Sequence, residues 1–314
     1  MPSLQVPPGV EGVVALTELP DDAWETRWSA IVTAPGLKER LLNFALFALR
    51  HRGGLDPVRL PVHGLIVLAG PPGTGKTTLA GGLADRAARE LGAPGVLFVE
   101  IDAHAFPSQL LGESQRSVSR LFERTLPDLA ARGRPTVVLL DEVEALAVNR
   151  GGASLETNPV DVHRATDAVL EGVDEVARRC PNVLFVATTN LSAGVDEAFL
   201  SRADLVEMTQ LPKAEAVAAI LRDTLRQVTD ADGIDEAALR RVARACVDAK
   251  LDSRRVRKLV LRAISSRWEL ALEPARVRLH DIEAVLRDEA APRLRAEPKR
   301  RPQDGSRSAR APKR

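Results

Sequence analysis

The run LIVLAGPPGTGKTTLA, Leu65 to Ala80, constrains the fold of this chain more than any other stretch. Five apolar residues, Leu65 to Ala69, lead into Gly70, Pro71, Pro72, Gly73, Thr74, Gly75, Lys76 and Thr77, and from there the sequence reads as helix. An apolar strand that turns through G-x-x-x-x-G-K-[ST] into a helix is a phosphate loop. Its glycines let backbone N–H groups close around a polyphosphate, and the new helix points its positive end at the anion. On this pattern Lys76 adds a charge at the β- and γ-phosphates and Thr77 a hydroxyl for Mg²⁺, so Gly70 through Thr78 is the expected nucleotide-binding segment. The chain is expected to bind a nucleoside triphosphate.

Around this loop the sequence alternates strand and helix. Strands are expected at 64–69, 96–101, 136–141, 183–188 and 205–208, with helices near 77–91, 116–131, 160–178 and 196–201. Near-continuous apolar strands separated by helices predict a parallel sheet covered on both faces. Ahead of the first strand, residues 21–52 read as two helical pieces broken at Pro35-Gly36, with Leu37, Leu41, Phe44, Ala45 and Ala48 at helical spacing. After Leu211-Pro212 the pattern becomes helix only, near 213–229, 235–249, 254–270 and 281–289, with Ser253 as candidate N-cap of the third. Val256, Leu259, Val260, Ala263 and Ile264 form one apolar stripe on that helix. The expected organisation is a flexible N-terminus (1–20), a large α/β nucleotide-binding domain (21–211), a small helical lid domain (212–291) and a basic disordered tail (292–314). From Lys299 to Arg314 the tail has seven basic residues and one acid, Asp304, and lacks the apolar residues of a core. A solvated terminus is the favoured reading, over contact with nucleic acid or an acidic protein.

Composition narrows the remaining choices. With 45% hydrophobic and 28% charged residues in 314, and a net charge of +1, the chain is an ordinary globular mix. No apolar run approaches a membrane span, and MPSLQVPPGVEG has neither the basic start nor the apolar core of a secretion signal. Cys180 and Cys246 match no metal spacing, and Cys246 falls in step with Leu239 and Val242 as core filler, which fits a reducing, cytoplasmic compartment. Tyrosine is absent and aromatics total 3%, which argues against an aromatic platform for nucleic acid.

Four further segments carry chemistry. VVLLDE, Val137 to Glu142, is a buried strand that delivers Asp141 and Glu142 at its C-terminal end, where ligands of parallel sheets collect. Asp141 is expected on Mg²⁺ and Glu142 on the attacking water. ATTN, Ala187 to Asn190, closes the next strand, and Asn190 can sit between the acids and the γ-phosphate. Arg202, in FLSRADL, can complete a neighbouring subunit's site as a charge-stabilising finger, or pair on the surface with Asp204. Arg254 can reach the phosphates from the helical bundle, or belong to a solvated basic face with Arg255, Arg257, Lys258 and Arg262.

Phosphate loop, acidic strand end, terminal Asn, finger Arg and bundle Arg in this order resemble an AAA+ ATPase. Within that class the chain is similar to the HORMA-domain remodellers, the pachytene-checkpoint family and its bacterial relatives. The resemblance is carried by VEIDAHAFPSQLLGES (Val99–Ser114), LLDEVEALAVNR (Leu139–Arg150), TTNLSAGVDEAFLSRADL (Thr188–Leu205) and LDSRRVRKL (Leu251–Leu259), and covers residues 24–290. It implies a parallel-sheet ATPase domain with a helical lid, ATP and Mg²⁺ as cofactors, and a homohexamer that threads the N-terminal segment of a HORMA protein through a central pore. In the bacterial branch the implied partners are a HORMA protein and its nucleotidyltransferase of cyclic-oligonucleotide anti-phage signalling, which disassembly restrains. Two departures stand out. The family's substrate-binding N-terminal domain has no room, so direct engagement of the HORMA protein is expected. The pore-loop position that is aromatic in many relatives reads Gln109-Leu110-Leu111-Gly112, a reading favoured over the alternative that the two leucines belong to a core helix. The stretch from Val148 to Pro159 is either a second pore loop or a surface loop.

Two other functions use the same residues: a DNA-associated ATPase with the basic tail as footprint, and an activase of a metabolic enzyme. The near-neutral body and the absence of a fused DNA-binding domain argue against nucleic acid as the direct substrate.

Overall fold

The computed structural model describes residues 12–106, 113–131, 133–147, 159–190, 194–229 and 234–295. The expected pore loop, Gln109 to Gly112, and most of the 148–159 stretch lie outside the described residues, as does the tail from residue 296 onward.

All five expected strands form. They are β2 (Leu65–Ala69), β3 (Val96–Asp102), β4 (Thr136–Asp141), β5 (Val183–Thr189) and β6 (Leu205–Met208), parallel and ordered β3-β4-β5-β2-β6. Every residue of β2 and β5 is buried, the mark of strands with helices on both faces. A sixth strand, β1 (Val13–Leu19), adds antiparallel to the outer edge of β3. This corrects the reading of residues 1–20 as flexible over Val13 to Leu19; residues 1–11 lie outside the described residues. The strand escapes notice in the sequence because its buried residues, Val13, Leu16 and Leu19, recur every third position, and its register shifts between Val13 and Ala15. The bulge breaks the period-two alternation by which strands are recognised.

Two helical layers sandwich the sheet. On one face, α1 (Asp22–Ala30), α2 (Leu37–His51) and α3 (Lys76–Leu91) pack over Ile66, Leu68, Phe98 and Leu139. Two tryptophans seat α1 on the helix after the phosphate loop: a Cβ on Gly81 would stand 2.4 Å from the Trp24 ring, and one on Gly82 would stand 2.8 Å from Trp28. Small residues at these two sites of α3 are what bring α1 to the edge of the cleft. On the other face, α6 (Pro159–Arg179) and the 113–130 helix cover Val67, Val138 and Phe185. The latter, expected as one helix, runs as α4 (Glu113–Arg120), a π-turn at Leu121–Thr125 and α5 (Leu126–Ala130). Pro127, which cannot donate a backbone hydrogen bond, is the second residue of α5, one position beyond the residue that follows Thr125 of the π-turn. The short α7 (Glu197–Leu200) precedes β6.

The helical C-terminal region comprises α8 (Ala214–Arg226), α9 (Glu236–Asp248), α10 (Ser253–Ser265), α11 (Trp268–Leu272) and α12 (Leu279–Arg295) around a core of its own. Cys246 lies in that core with Leu239 and Val242, and burial pushes its thiol up to about 12. Three expectations need adjusting here. The 254–270 helix breaks after Ser265, α12 runs to Arg295 into the segment expected as tail, and the N-cap of α10 is Asp252 in place of Ser253. Asp252 accepts from the N–H groups of Arg254 and Arg255, both at 2.9 Å, and a carboxylate at that end also meets the helix dipole favourably.

Candidate functional site

The C-terminal ends of β2, β5 and β4 lie side by side, so three segments converge there: the phosphate loop after Ala69, Asn190 after Thr189, and the acids at and after Asp141. Together with α1 and α10 they line a cavity of about 650 Å³.

The phosphate loop folds as its glycines require. Gly70, Gly73 and Gly75 have φ of 144°, 77° and 89°, in the region closed to most side chains. Gly73 also meets a spatial demand, since a Cβ there would stand 2.3 Å from the carboxylate carbon of Asp252. The cap of α10 therefore rests directly on the phosphate loop. Thr74 ties the loop to the end of β6 through Thr209, 2.8 Å away.

Lys76 is 7% exposed, and its Nζ donates to the carbonyls of Gly70 (2.8 Å) and Pro71 (3.1 Å) and to Asn190 Oδ1 (2.9 Å). Burial lowers its pKa, against the opposing pull of Glu144, Asp141 and Glu142. Thr77 Oγ1 donates to Asp141 Oδ1 at 2.9 Å, and Thr188 Oγ1 donates to the same oxygen at 2.5 Å. Thr188 also accepts from the Glu142 N–H at 3.0 Å, which helps hold Glu142 at φ 54°, an unusual backbone for a non-glycine residue. Asn190 Nδ2 donates to Glu142 Oε1 at 3.1 Å, and the Asn190 N–H donates to Glu144 at 3.0 Å. His104 lies 2.8 Å from Glu142 Oε2. Its hydrogen bond, ahead of that from Asn190, outweighs desolvation and holds the Glu142 carboxyl below its usual range.

Thr77 and Asp141 present a hydroxyl and a carboxylate to the same spot, and hard oxygen donors of this kind suit Mg²⁺. Five cations (Arg27, Lys76, Arg254, Arg257 and Lys258) line the cavity against two carboxylates, Asp141 and Glu142, a balance that favours a polyanion. Ile31, Val32 and Ile220 give the cavity an apolar wall as well. Among the described residues no group of three or more His, Cys, Asp or Glu side chains is placed to hold a metal ion.

Of the residues expected from sequence, Lys76, Thr77, Asp141, Glu142 and Asn190 form one connected set, and Arg254 joins the cavity lining from α10. Arg202 lies outside that lining. It is gripped by Asp174 of α6, at 2.8 to 3.1 Å through Nε and a terminal nitrogen, and it donates to the Ala198 carbonyl. The alternative partner, Asp204, is engaged elsewhere: its carboxylate accepts from the N–H groups of His63, Gly64 and Leu65 and so pins the start of β2. Sequence reasoning passes over Thr188, His104, Glu144 and Asp252. Thr188 is readable, as a hydroxyl two residues before Asn190 at the same strand end. His104 and Asp252 become visible only when β3 and α10 are brought against the site.

Fold and site together define a nucleotide-binding module of the AAA class, and the profile of the ATPase family associated with various cellular activities matches residues 66–211. The CD-NTase-associated protein 6 of Pseudomonas aeruginosa is 40% identical over 287 residues, covering 90% of this chain and 94% of that protein. A pachytene checkpoint protein 2 homolog of Arabidopsis thaliana is 32% identical over 213 residues, 67% of this chain but only 45% of that longer protein. The chain belongs to the AAA+ ATPases of the pachytene-checkpoint family, in its bacterial branch. The fold agrees. Caenorhabditis elegans PCH-2 superposes with a TM-score of 0.71 at 25% identity, covering 90% of this chain and 77% of that one. A chain of the Escherichia coli MS115-1 HORMA:CdnC:Trip13 complex superposes with a TM-score of 0.75 at 21% identity, covering 90% and 97%.

Proposed function

We propose that this ATPase is a protein remodeller that couples Mg²⁺-dependent ATP hydrolysis to disassembly of a HORMA-domain protein from a nucleotidyltransferase that makes cyclic oligonucleotides, and so restrains anti-phage signalling. The observation that carries the reading is the near full-length match to a CD-NTase-associated protein, joined to a connected hydrolytic site. The fold shared with a chain of a HORMA:CdnC:Trip13 complex supports it.

In this reading the residues divide the work. Gly70 to Thr78 wrap the phosphates through backbone N–H groups, and Lys76 exchanges its bonds to Asn190 and the loop carbonyls for phosphate oxygens. Thr77 and Asp141 hold Mg²⁺, which when bound neutralises charge on the β- and γ-phosphates. Glu142 orients and polarises the attacking water, with Asn190 between it and the phosphates. Arg254 reports phosphate occupancy to the helical region, whose cap at Asp252 already touches Gly73. Arg202 leaves Asp174 to complete a neighbouring subunit's site in a homohexamer. The exchange is cheap, because a partly exposed pair of this kind contributes at most about 1 kcal/mol. Gln109 to Gly112 contact the threaded segment, and the soluble assembly works in the cytoplasm. Among the described residues no helix is long and apolar enough to cross a membrane.

A pull-down tests the reading. Glu142→Gln protein loaded with ATP and mixed with a bacterial HORMA protein–nucleotidyltransferase complex should retain the HORMA protein. Wild type should release it on hydrolysis. Failure of the loaded variant to retain any HORMA protein would remove the proposed substrate.

A further inference from the structure

His104 sits in a short 3₁₀ turn, Ala103–Ala105, just past the end of β3. The turn is anchored on both sides, since Ala103 is fully buried and Phe106 is 2% exposed, and Asp102 caps it by accepting from the His104 N–H at 2.9 Å. Between these anchors the imidazole is 60% exposed and so adds little to packing. Its hydrogen bond goes to Glu142 Oε2 at 2.8 Å. An ionised carboxylate can only accept, so His104 Nε2–H is the donor and the tautomer is set.

The other carboxylate oxygen is held as firmly. Lysine can only donate and a carboxylate can only accept, so one orientation of Asn190 satisfies both neighbours: Oδ1 toward Lys76 and Nδ2 toward Glu142. The result is an unbroken line from the phosphate loop, Lys76 to Asn190 to Glu142 to His104. The Glu142 side chain is 47% exposed, so packing leaves it free to change rotamer. Two hydrogen bonds, one per oxygen, aim it instead. Each carboxylate oxygen keeps a further lone pair for a water.

We infer that His104 is a positioning residue for ATP hydrolysis: it holds Glu142 Oε2 so that the carboxylate faces the attacking water in one rotamer. The inference rests on the reading of Glu142 as the group that polarises that water. His104 is not among the residues that line the cavity and its side chain bonds Glu142, so nucleotide affinity is expected to be set without it. Its loss lets Glu142 swing about its single remaining anchor, Asn190. Misplacement of a catalytic group by about 1 Å costs up to about a hundred-fold in rate. With Asn190 still in place, a loss of about ten-fold is expected.

The test is a kinetic cycle on the full chain: kcat and KM for ATP in wild type, His104→Ala, His104→Gln, Glu142→Gln and the His104→Ala/Glu142→Gln double variant. His104→Ala should lower kcat about ten-fold and leave KM within about two-fold, the split expected for a group that acts only in the transition state. Gln can donate from a similar reach, so His104→Gln should recover most of kcat. In the Glu142→Gln background, His104→Ala should cost nothing further, because the group it positions is gone. A His104→Ala enzyme with wild-type kcat, a loss confined to KM, or a Gln variant no better than Ala would overturn the inference. Wild-type turnover by Glu142→Gln would instead overturn the role of Glu142 itself, and so separates the two failures.

Discussion

On the body side of the cavity, Lys76 and Thr77 at the start of α3 and Asp141, Glu142, Thr188 and Asn190 at the ends of β4 and β5 are joined by hydrogen bonds. On the helical side, Arg254, Arg257 and Lys258 enter from α10, whose hydrophobic core is separate from those flanking the sheet. That helix meets the body through Asp252 against Gly73 and through Arg257, 3.5 Å from the Ala30 carbonyl. The first side is preorganised and the second is poised on a light contact. The proposed remodelling would draw on this division, with a rigid half to bind and cleave the nucleotide and a second half free to move when the phosphates change.

If the division is right, body-side changes should abolish binding or chemistry and helical-side changes should uncouple them. The largest effect is expected for Lys76→Ala, which removes a buried charge aimed at the phosphates. ATP affinity by calorimetry should fall at least about a hundred-fold, the scale of a buried charge-assisted contact. Arg254→Ala should act differently, lowering kcat by about ten-fold or more while affinity falls less than about ten-fold. Equal losses in both measurements would place Arg254 with the binding half.

The two glycines of the loop sharpen the comparison. Gly73→Ala and Gly75→Ala both force a side chain into positive φ, at roughly 1–2 kcal/mol. Only the first also drives a methyl into Asp252, because the nearest atom to a Cβ on Gly75 is Ile31 Cδ1 at 3.8 Å. Gly73→Ala should therefore displace α10, and adding Asp252→Ala should relieve part of that cost. Coupling of about 1 kcal/mol in a thermal-melt cycle is the expected sign of the contact. The smallest effect is that of Asp252→Ala alone, which removes the cap of α10 at about 1 kcal/mol and leaves the body's core untouched.

The same division marks what is legible in the sequence. The parallel strands and the residues at their ends can be read because each comes from local chemistry: an apolar run, then glycines, acids or an amide where the strand stops. β1 cannot, because a bulge hides its alternation and an edge strand buries one side only. The helical side reads as helices and one arginine, whereas its contact with the phosphate loop depends on how two separately packed cores are placed. Gly73 is an ordinary loop glycine in the sequence, and only the fold sets Asp252 against it. Arg202 is legible in the sequence only as an arginine just before β6, and the partner that holds it, Asp174, lies 28 residues away on α6.

Glu142 is where binding and chemistry separate most cleanly. ATP binding and steady-state hydrolysis should be measured together on Glu142→Gln. The expected result is affinity within a few-fold of wild type and turnover reduced by about a hundred-fold or more, in the range of a lost general base. Hydrolysis at the wild-type rate with binding intact would contradict the assignment of the chemical step to the acid held between Asn190 and His104.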